Sequence, residues 1–224
     1  MLTLAFDTTA EFGSLALVRD GEILAETLLH APEGFSGMLF QQIDALLGRE
    51  GVALADIDVF AAASGPGSFT GVRIGLAAAK GLAEVLGKKA VPVSNLEALS
   101  RFGSGNLRAT VLDARRGEVF AALYAADSSL VIGEQVLRFP HFVEMLGDLD
   151  FEWVSPHFDP FLPALAGTSL ADLPLTVVPR AIAGAIGQIA AQRVLAGAAG
   201  EPAAVEANYV RRSDAELLWR EPGL

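Results

Sequence analysis

The sequence contains one structural pattern twice, and this duplication constrains the fold more than any other feature. Residues 2–29 read LTLAFDTTAEFGSLALVRDGEILAETLL, and residues 107–137 read LRATVLDARRGEVFAALYAADSSLVIGEQVL. In each copy an apolar run ends in an aspartate, Asp7 or Asp113, and two more strand-like runs follow across polar turns. The pattern therefore predicts a meander of three antiparallel strands at the start of each half.

Helices and buried strands follow the first meander. Apolar residues recur at helical spacing in residues 35–49 and again in residues 70–86. The short apolar runs VFAAAS and KAVPV are typical of strands that are buried on both faces. A third, short helix is predicted at the capping-box pair Ser94 and Glu97. The first half thus reads βββαβαβα.

The second half repeats this plan in outline. Strands are predicted at FEWVS and LTVVP, and a long helix is predicted at residues 181–196. The stretch GSGN at residues 103–106 has the composition of a linker. We therefore predict an α/β protein of two similar units, with domains at residues 1–103 and 104–224.

Composition excludes several classes of function. The 224 residues include no cysteine and three scattered histidines, which disfavours disulfides, thiolate nucleophiles and zinc sites. The formal net charge of −11 disfavours unaided binding to nucleic acid, because a polyanion requires a basic surface. No apolar run reaches the roughly 18 residues of a transmembrane helix, and Met1 leads directly into a strand-like run. We expect a cytoplasmic protein that contacts no membrane.

The motif GPGSFTG at residues 65–71 has two interpretations. A glycine-rich loop before a helix can turn its backbone N–H groups toward an anion such as a phosphate. This loop lacks the lysine with which a Walker A loop reaches the β and γ phosphates. Its glycines also permit a tight turn, and Ser68 or Thr70 can cap the helix that follows. We favour the structural interpretation and keep the anion site as the alternative.

The helix at residues 70–86 is apolar on two faces, which is more than one sheet requires. One face can cover the sheet of its own unit. The other can pack on the helix at residues 35–49 or on a second protein chain. Small residues four positions apart on this helix would allow a neighbouring helix to approach closely. The pattern alone leaves both choices open.

Four motifs spread over most of the chain resemble one known family. The segments FDTT, GPGSFTGVRIGL, LDARRGEVFAALY and NYVRR look like those of the TsaB (YeaZ) family, and the long glycine motif is highly specific. The resemblance implies the fold of the actin-like ATPases, built from two ribonuclease-H-like units. It also implies a non-catalytic partner of the TsaD enzyme, which forms N6-threonylcarbamoyladenosine at position 37 of tRNAs that read ANN codons.

Partners follow from the same resemblance. It implies a TsaD-type catalytic subunit, a TsaE-type ATPase in the complex, a homodimer when the chain is alone, and only indirect contact with tRNA. It implies no cofactor held by this chain alone, with room for ATP or ADP at a subunit boundary of the assembled complex. It also favours a partner surface on the two helices. We predict that this surface comprises Phe35, Met38, Leu39, Gln42, Gly71, Gly75, Ala79 and Leu82.

The resemblance also marks four positions of a phosphate-binding loop. Asp7, Thr8 and Thr9 stand where actin-like ATPases place that loop, and Asp113 is the equivalent aspartate of the second unit. Those ATPases usually follow the acid with a glycine that lets the backbone approach the phosphate, whereas Thr8 and Ala114 follow here. We therefore regard these four residues as vestigial cofactor-binding positions and doubt that the chain hydrolyses nucleotide.

No catalytic or metal-binding residue is predicted. TsaD enzymes carry a metal-binding H-x-x-x-H on the first long helix, and the corresponding residues 35–39 read FSGML. No Ser/His/Asp or Cys/His set is arguable either. The alternative, from a different class, is a small-molecule kinase or ATPase that uses the cleft between the units near Asp7 and Asp113.

Two basic pairs and two tryptophans receive structural interpretations. Arg115-Arg116 and Arg211-Arg212 are expected to be solvated or paired with acids, with at most minor contacts to tRNA. Trp153 and Trp219 are expected to pack in the core, because no basic side chains alternate with them as in a base-stacking platform.

Overall fold

The first sheet has five strands and begins with the predicted meander. The computed structural model describes residues 1–198 and 200–211. The first five strands are β1 (Leu2–Asp7), β2 (Phe12–Arg19), β3 (Glu22–His30), β4 (Val59–Ala63) and β5 (Lys89–Val93). They lie in the order β3-β2-β1-β4-β5, with antiparallel pairs in the meander and parallel pairs elsewhere. The meander predicted at residues 2–29 is thus confirmed.

The turn between β2 and β3 follows from its two residues. Asp20 and Gly21 have φ angles of 51° and 88°. Glycine tolerates this region because it has no Cβ, and aspartate enters it more readily than most residues. The turn pairs Arg19 with Glu22. It therefore fixes the register, which decides which side chains of the meander face each helix layer.

Three helices accompany the first sheet. They are α1 (Leu39–Glu50), α2 (Phe69–Leu86) and α3 (Asn95–Ser100). Ser68 caps α2 by accepting a hydrogen bond from the Gly71 N–H at 3.3 Å, and Ser94 caps α3 through its Oγ atom, as predicted. Helix α1 begins four residues later than predicted, because residues 35–38 form a turn that buries the Phe35 ring.

The second sheet repeats the topology of the first. Its strands are β6 (Leu107–Arg115), β7 (Glu118–Ala125), β8 (Leu130–Arg138), β9 (Glu152–Ser155) and β10 (Leu175–Val177), in the order β10-β9-β6-β7-β8. The helices that follow are α4 (Phe139–Leu146), α5 (Leu162–Leu165) and α6 (Ala183–Leu195). Strands β6, β7 and β8 form the second meander, and β9 and β10 pair in parallel as β4 and β5 do. The predicted duplication is therefore confirmed.

Helix α6 lies on the first sheet although it follows the second. The Ser14 hydroxyl of β2 accepts hydrogen bonds from the N–H groups of Ile182 and Ala183 at 3.1 and 3.0 Å. A Cβ atom at Gly187 would lie 2.7 Å from a methyl group of Val18, so the helix approaches the sheet closely at a glycine. The predicted boundary between domains 1–103 and 104–224 stays a prediction.

Both faces of the first sheet are covered. Helices α1 and α2 share one apolar core with the sheet, while α3 and α6 share another that also includes residues of the second sheet. This burial on both faces explains why β4 is apolar throughout. In the part of the chain that the structure describes, no helix has the length and apolar character to span a membrane.

A third core surrounds Trp153 of β9. The indole is 1% exposed, and its N–H donates a hydrogen bond to the Leu170 carbonyl at 3.1 Å. The rings of Phe139, Phe151 and Phe158 lie 4.8 to 5.6 Å from it between centroids. The packing role predicted for Trp153 is confirmed. The same prediction for Trp219 lies outside the described residues.

Candidate functional site

The first strand ends at a buried carboxylate. Asp7 is 4% exposed, and its Oδ1 atom accepts hydrogen bonds from the Thr9 N–H at 2.8 Å and the Thr9 hydroxyl at 2.6 Å. Burial raises the pKa of Asp7 because it penalises the charged form, and hydrogen bonds from Thr9 and Asn95 act in the opposite direction. The carboxylate is therefore engaged by its own neighbours.

A short chain of hydrogen bonds links this strand end to two other segments. The Asn95 side-chain amide at the start of α3 donates to the Thr9 hydroxyl at 2.8 Å, and its Oδ1 atom accepts from the Gly65 N–H at 3.1 Å. The Thr8 hydroxyl donates to the Gly71 carbonyl at 2.7 Å. Thr8 and Thr9 thus hold the glycine loop and α3 against β1.

The glycine loop is folded onto the strand end. The Ser68 N–H donates to the Thr9 carbonyl at 2.6 Å. A Cβ atom at Gly67 would lie 2.6 Å from that same carbonyl oxygen, and one at Gly71 would overlap the carbonyl oxygen of Thr8. The motif needs glycine at these positions because the backbone approaches so closely. These contacts support the structural interpretation of GPGSFTG.

The equivalent end of β6 has a different environment. Asp113 is exposed, and its Oδ1 atom accepts a hydrogen bond from the Arg115 N–H at 2.7 Å. The turn after it places Arg115 and Arg116 at φ angles of 61° and 56°. Among the described residues, no group of three or more His, Cys, Asp or Glu side chains could hold a metal ion. The four predicted cofactor positions stay a prediction.

A cleft of about 510 Å³ lies where the two sheets, α6 and the C-terminal segment (residues 200–211) meet. Glu134 of β8 stands in it as an acceptor. It accepts hydrogen bonds from the Tyr124 hydroxyl at 2.5 Å, from the Ser94 hydroxyl and from the Asn208 side-chain amide. Glu134 could not be recognised from the sequence, because its partners lie 10, 40 and 74 positions away.

Two further groups in the cleft have perturbed pKa values. Burial is the largest cause that raises the pKa of Tyr124, and the charge of Glu134 adds to it. Burial also raises the pKa of Glu97, against the ion pair and hydrogen bond that it makes with Arg193. Tyr124 is bonded to Glu134 and Glu97 to Arg193, so these four groups of the cleft are already engaged within the chain.

The residues predicted for the partner surface separate into two groups. Five of them are buried within the chain, and three are partly exposed. The buried ones are Phe35, Leu39, Gly71, Gly75 and Ala79, and the partly exposed ones are Met38, Gln42 and Leu82.

The small-residue stripe of α2 faces the sheet of its own unit, and the sequence pattern had left open whether such a face packs within the chain or on another helix. A Cβ atom at Gly75 would lie 2.6 Å from the Thr8 hydroxyl and 3.8 Å from Ala62. Ala79, one turn further, is 1% exposed. The stripe allows α2 to approach the sheet closely, because Thr8, which follows β1, and Ala62 of β4 lie beneath it.

The exposed apolar residues of this layer are different ones. Phe40 of α1 is 55% exposed and Val85 of α2 is 84% exposed. Gln42 shares a side of α1 with Arg49, which donates a hydrogen bond to Thr27 of β3 at 3.1 Å. Phe40 lies nearly opposite Gln42 on the helix. Gln42 was predicted for the partner surface and is only partly exposed, whereas Phe40, which was not predicted, is more exposed.

Arg211 of the second basic pair is engaged within the chain. It donates a hydrogen bond to the Ala114 carbonyl at 2.7 Å, forms an ion pair with Glu118 and lies over the Phe120 ring. For Arg211 this agrees with the expectation that the basic pairs are solvated or paired with acids. Arg212 lies outside the described residues.

The fold and the two strand ends define an α/β protein of the actin-like class, built from two ribonuclease-H-like units. A family model described as TsaD, tRNA N6-adenosine threonylcarbamoyltransferase, matches residues 31–152. The chain belongs to the family that this model describes, and within it to the TsaB (YeaZ) proteins.

Two curated relatives and one solved structure support this assignment. The tRNA threonylcarbamoyladenosine biosynthesis protein TsaB of Bacillus subtilis is 34% identical over 155 residues, which cover 67% of this chain and 68% of the relative. The protein of that name from Escherichia coli is 36% identical over 167 residues, which cover 69% and 70%. A Pseudomonas aeruginosa protein with similarity to peptidase YEAZ is 26% identical, with a TM-score of 0.78 over 94% of this chain and 99% of that one.

Proposed function

We propose that the chain is a non-catalytic scaffold and activator of a TsaD-type catalytic subunit. The complex would form N6-threonylcarbamoyladenosine at position 37 of tRNAs that read ANN codons. Membership in the TsaB family supports the pathway, because the curated relatives are named for the biosynthesis of this nucleoside. The single observation that supports the non-catalytic role is the internally bonded strand end at Asp7.

The hydrogen bonds at this strand end oppose phosphate binding. A phosphate loop must offer free backbone N–H groups to its ligand. Here the Thr9 N–H is bonded to Asp7 and the Ser68 N–H to the Thr9 carbonyl. An incoming phosphate would have to break both bonds and displace a buried carboxylate, which would repel its charge. The chain is therefore better suited to binding a partner than to nucleotide chemistry.

Activation without catalytic groups requires differential binding. The chain must bind the active conformation of the catalytic subunit more tightly than the inactive one, because equal affinity for both would shift nothing. Its contribution is then binding free energy. The formal charge of −11 supports an indirect relation to tRNA, with the RNA held mainly by other subunits. A TsaE-type ATPase would complete the complex.

The partner surface that we propose is the gap between α1 and α2. Phe40 contributes an aromatic ring that is 55% exposed, and Leu82 and Val85 supply apolar side chains of α2. The buried members of the predicted set, such as Leu39 and Gly75, would support this surface from beneath. We propose that two copies of the chain associate through it when the catalytic subunit is absent.

A reconstituted assay tests the activator role. It contains the TsaD-type subunit, a source of threonylcarbamoyl-adenylate and substrate tRNA, with and without this chain. We expect a higher rate of tRNA modification with the chain, and an unchanged rate when folded Asp7→Asn protein replaces it. Equal rates with and without the chain, once light scattering has confirmed the complex, would show that it is no activator.

A charge in the gap between α1 and α2 tests the surface itself. We expect Phe40→Asp to weaken association with the catalytic subunit at least about tenfold, because a carboxylate would be buried without a partner. The control is Leu130→Asp on the second sheet, where Leu130 is 54% exposed. Similar losses in both variants, or none in Phe40→Asp, would place the surface elsewhere.

A further inference from the structure

An exposed aromatic pair lies at the start of α2, on the side that faces the C-terminal segment. Phe69 is 41% exposed and Tyr209 is 50% exposed. Their rings are stacked with centroids 5.5 Å apart and an interplanar angle of 30°. The two residues come from distant parts of the sequence, in the motifs GPGSFTG and NYVRR. The stacked rings thus bring the two motifs into contact.

Arg73 joins the pair and is held in one orientation. Its guanidinium carbon lies 3.7 Å from the centre of the Phe69 ring, and its Nε–H donates to the Tyr209 hydroxyl at 3.0 Å. Neither contact uses the terminal Nη groups of Arg73. These groups have no hydrogen-bond acceptor among the described residues. A stacked, hydrogen-bonded guanidinium is prepared to bind a carboxylate with two N–H donors.

Two other arginines of the chain are already paired with carboxylates. Arg193 forms an ion pair with Glu97, and Arg211 forms one with Glu118. No carboxylate of the described residues lies within 4.0 Å of Arg73. In a chain with a formal net charge of −11, the acceptor that suits this arginine is absent from its surroundings.

The backbone beneath the aromatic pair is fixed. The Asn208 N–H donates to the Ser64 carbonyl at 2.8 Å, and the Asn208 side chain donates to Glu134 in the cleft. These bonds hold Tyr209 beside α2 before any partner arrives. Aromatic residues and arginine in a preformed arrangement are the residues that most often dominate the free energy of protein association.

We propose that Phe69, Arg73 and Tyr209 form a docking site for a carboxylate of a partner protein, with an apolar side chain of the partner on the two rings. The inference rests on the proposed function, so the partner is the TsaD-type catalytic subunit. The site lies on the side of α2 that faces Tyr209, roughly opposite the side that carries Leu82. The two surfaces of α2 would therefore engage the partner independently.

Calorimetric titration of the full chain with the catalytic subunit tests the site. We expect Arg73→Ala to weaken binding at least about tenfold, since a charge-assisted pair is lost. Arg73→Lys is expected to weaken it nearly as much, because lysine cannot offer the planar fork. Tyr209→Phe keeps the ring but removes the acceptor for Arg73 Nε, so an intermediate loss of about threefold is expected.

The control is Arg138→Ala, which removes an exposed arginine from the second sheet. It is expected to change affinity less than twofold, and thermal unfolding must show that each variant is folded. If the wild-type chain binds and Arg73→Ala binds equally well, the docking site is wrong while the proposed function stands. If the wild-type chain does not bind the catalytic subunit at all, the result contradicts the proposed function and, with it, the docking site.

Two further results would contradict the choice of occupant. One is a loss of self-association in Arg73→Ala, measured by light scattering, with unchanged affinity for the catalytic subunit. The other is a loss of tRNA binding by the assembled complex while the affinity between the two proteins stays unchanged. An equal loss in Arg138→Ala would show a general effect of charge and would also overturn the assignment.

Discussion

Asp7 and Asp113 end equivalent strands of two similar sheets, yet their surroundings differ. Asp7 is 4% exposed and accepts two hydrogen bonds from Thr9, whereas Asp113 is exposed and accepts one from the Arg115 N–H. The difference comes from the loop after the neighbouring parallel strand. After β4 that loop is GPGSFTG, which folds back on Thr9, and after β9 it is SPHFDP. The sheet topology therefore sets the position of each aspartate, and the neighbouring loop sets its burial and its hydrogen-bond partners.

The end of β1 is buried and joins three segments through hydrogen bonds, whereas the turn at the end of β6 is exposed to solvent. Residues of β1, the glycine loop and α3 meet in one hydrogen-bonded group around Asp7, Thr9 and Asn95. Removing any member leaves a buried donor or acceptor without a partner. We therefore expect substitutions at the first strand end to affect stability more than matched substitutions at the second.

The largest effect is expected for Gly71→Ala. The new methyl group would overlap the Thr8 carbonyl oxygen, which belongs to backbone and cannot move aside. We expect a loss of about 3 kcal/mol in the free energy of unfolding, at the upper end of overpacking effects. Urea unfolding of the purified variant measures it.

The control for this variant lies in the same helix. A Cβ atom at Gly81 meets no atom within 4 Å. Gly81→Ala is expected to stabilise the protein by about 0.5 to 1 kcal/mol, because alanine has the higher helix propensity. If both variants change the free energy of unfolding equally, the close contact between α2 and the end of β1 does not make Gly71 more sensitive than Gly81 to substitution.

A smaller effect is expected for Asp7→Ala. It leaves the buried N–H and hydroxyl of Thr9 without their acceptor, which costs about 2 kcal/mol. Asp113→Ala removes a single bond at an exposed turn, so we expect a loss of about 0.5 kcal/mol or less. Thermal or urea unfolding of the two variants compares the strand ends directly. A larger loss at Asp113 would reverse the comparison.

A third effect depends on pH and concerns Glu152, a carboxylate of the second sheet. Burial acts to raise the pKa of Glu152, but hydrogen bonds from Thr176, Gly105 and Ser104, together with the Arg108 charge, lower it overall. A lowered pKa in the folded state stabilises the protein above the pKa of the unfolded chain, about 4.3 for a glutamate. This stabilisation is lost as the pH falls through the folded pKa.

The Glu152→Gln variant measures this dependence. We expect the wild-type protein to exceed the variant in free energy of unfolding by about 1 kcal/mol at pH 7, and the difference to shrink below about pH 4. The pH dependence expected for Asp7 has the opposite sign. Because the pKa of Asp7 is raised in the folded state, its ionisation destabilises the protein as the pH rises. Urea unfolding at pH 3.5, 5 and 7 records the curve. A difference that is independent of pH would contradict the role of the ionised Glu152 side chain.

The sequence predicted the parts of the fold that depend on local residues. The meanders follow from alternating apolar runs and an Asp-Gly turn, and Ser94 caps α3 as its spacing with Glu97 indicates. The placement of α6 on the first sheet could not be predicted, because the bonds from Ile182 and Ala183 to Ser14 span 168 and 169 positions. Contacts at such separation leave no periodic signal in a single sequence.

The candidate site was predicted less completely for the same reason. The apolar stripe of α2 was recognised, but periodicity shows which side of a helix is apolar and does not show which molecule covers it. Gly75 therefore seemed available to a partner, although it lies on Thr8 of the same chain. Glu134 and the stacked pair of Phe69 and Tyr209 combine residues from separate motifs, so only the folded chain brings them together.

The position of α6 has a consequence for the order of events during synthesis. Part of one face of the first sheet stays uncovered until Ala183–Leu195 has left the ribosome, because that helix covers it. Roughly 90 residues separate β5 from α6, and at bacterial or eukaryotic rates their translation takes roughly 5 to 20 seconds. During that time β1 and β2 of the nascent chain expose Ala5, Ala16 and Val18 to solvent. Production of this protein should therefore depend on chaperone supply and on translation speed between those two elements.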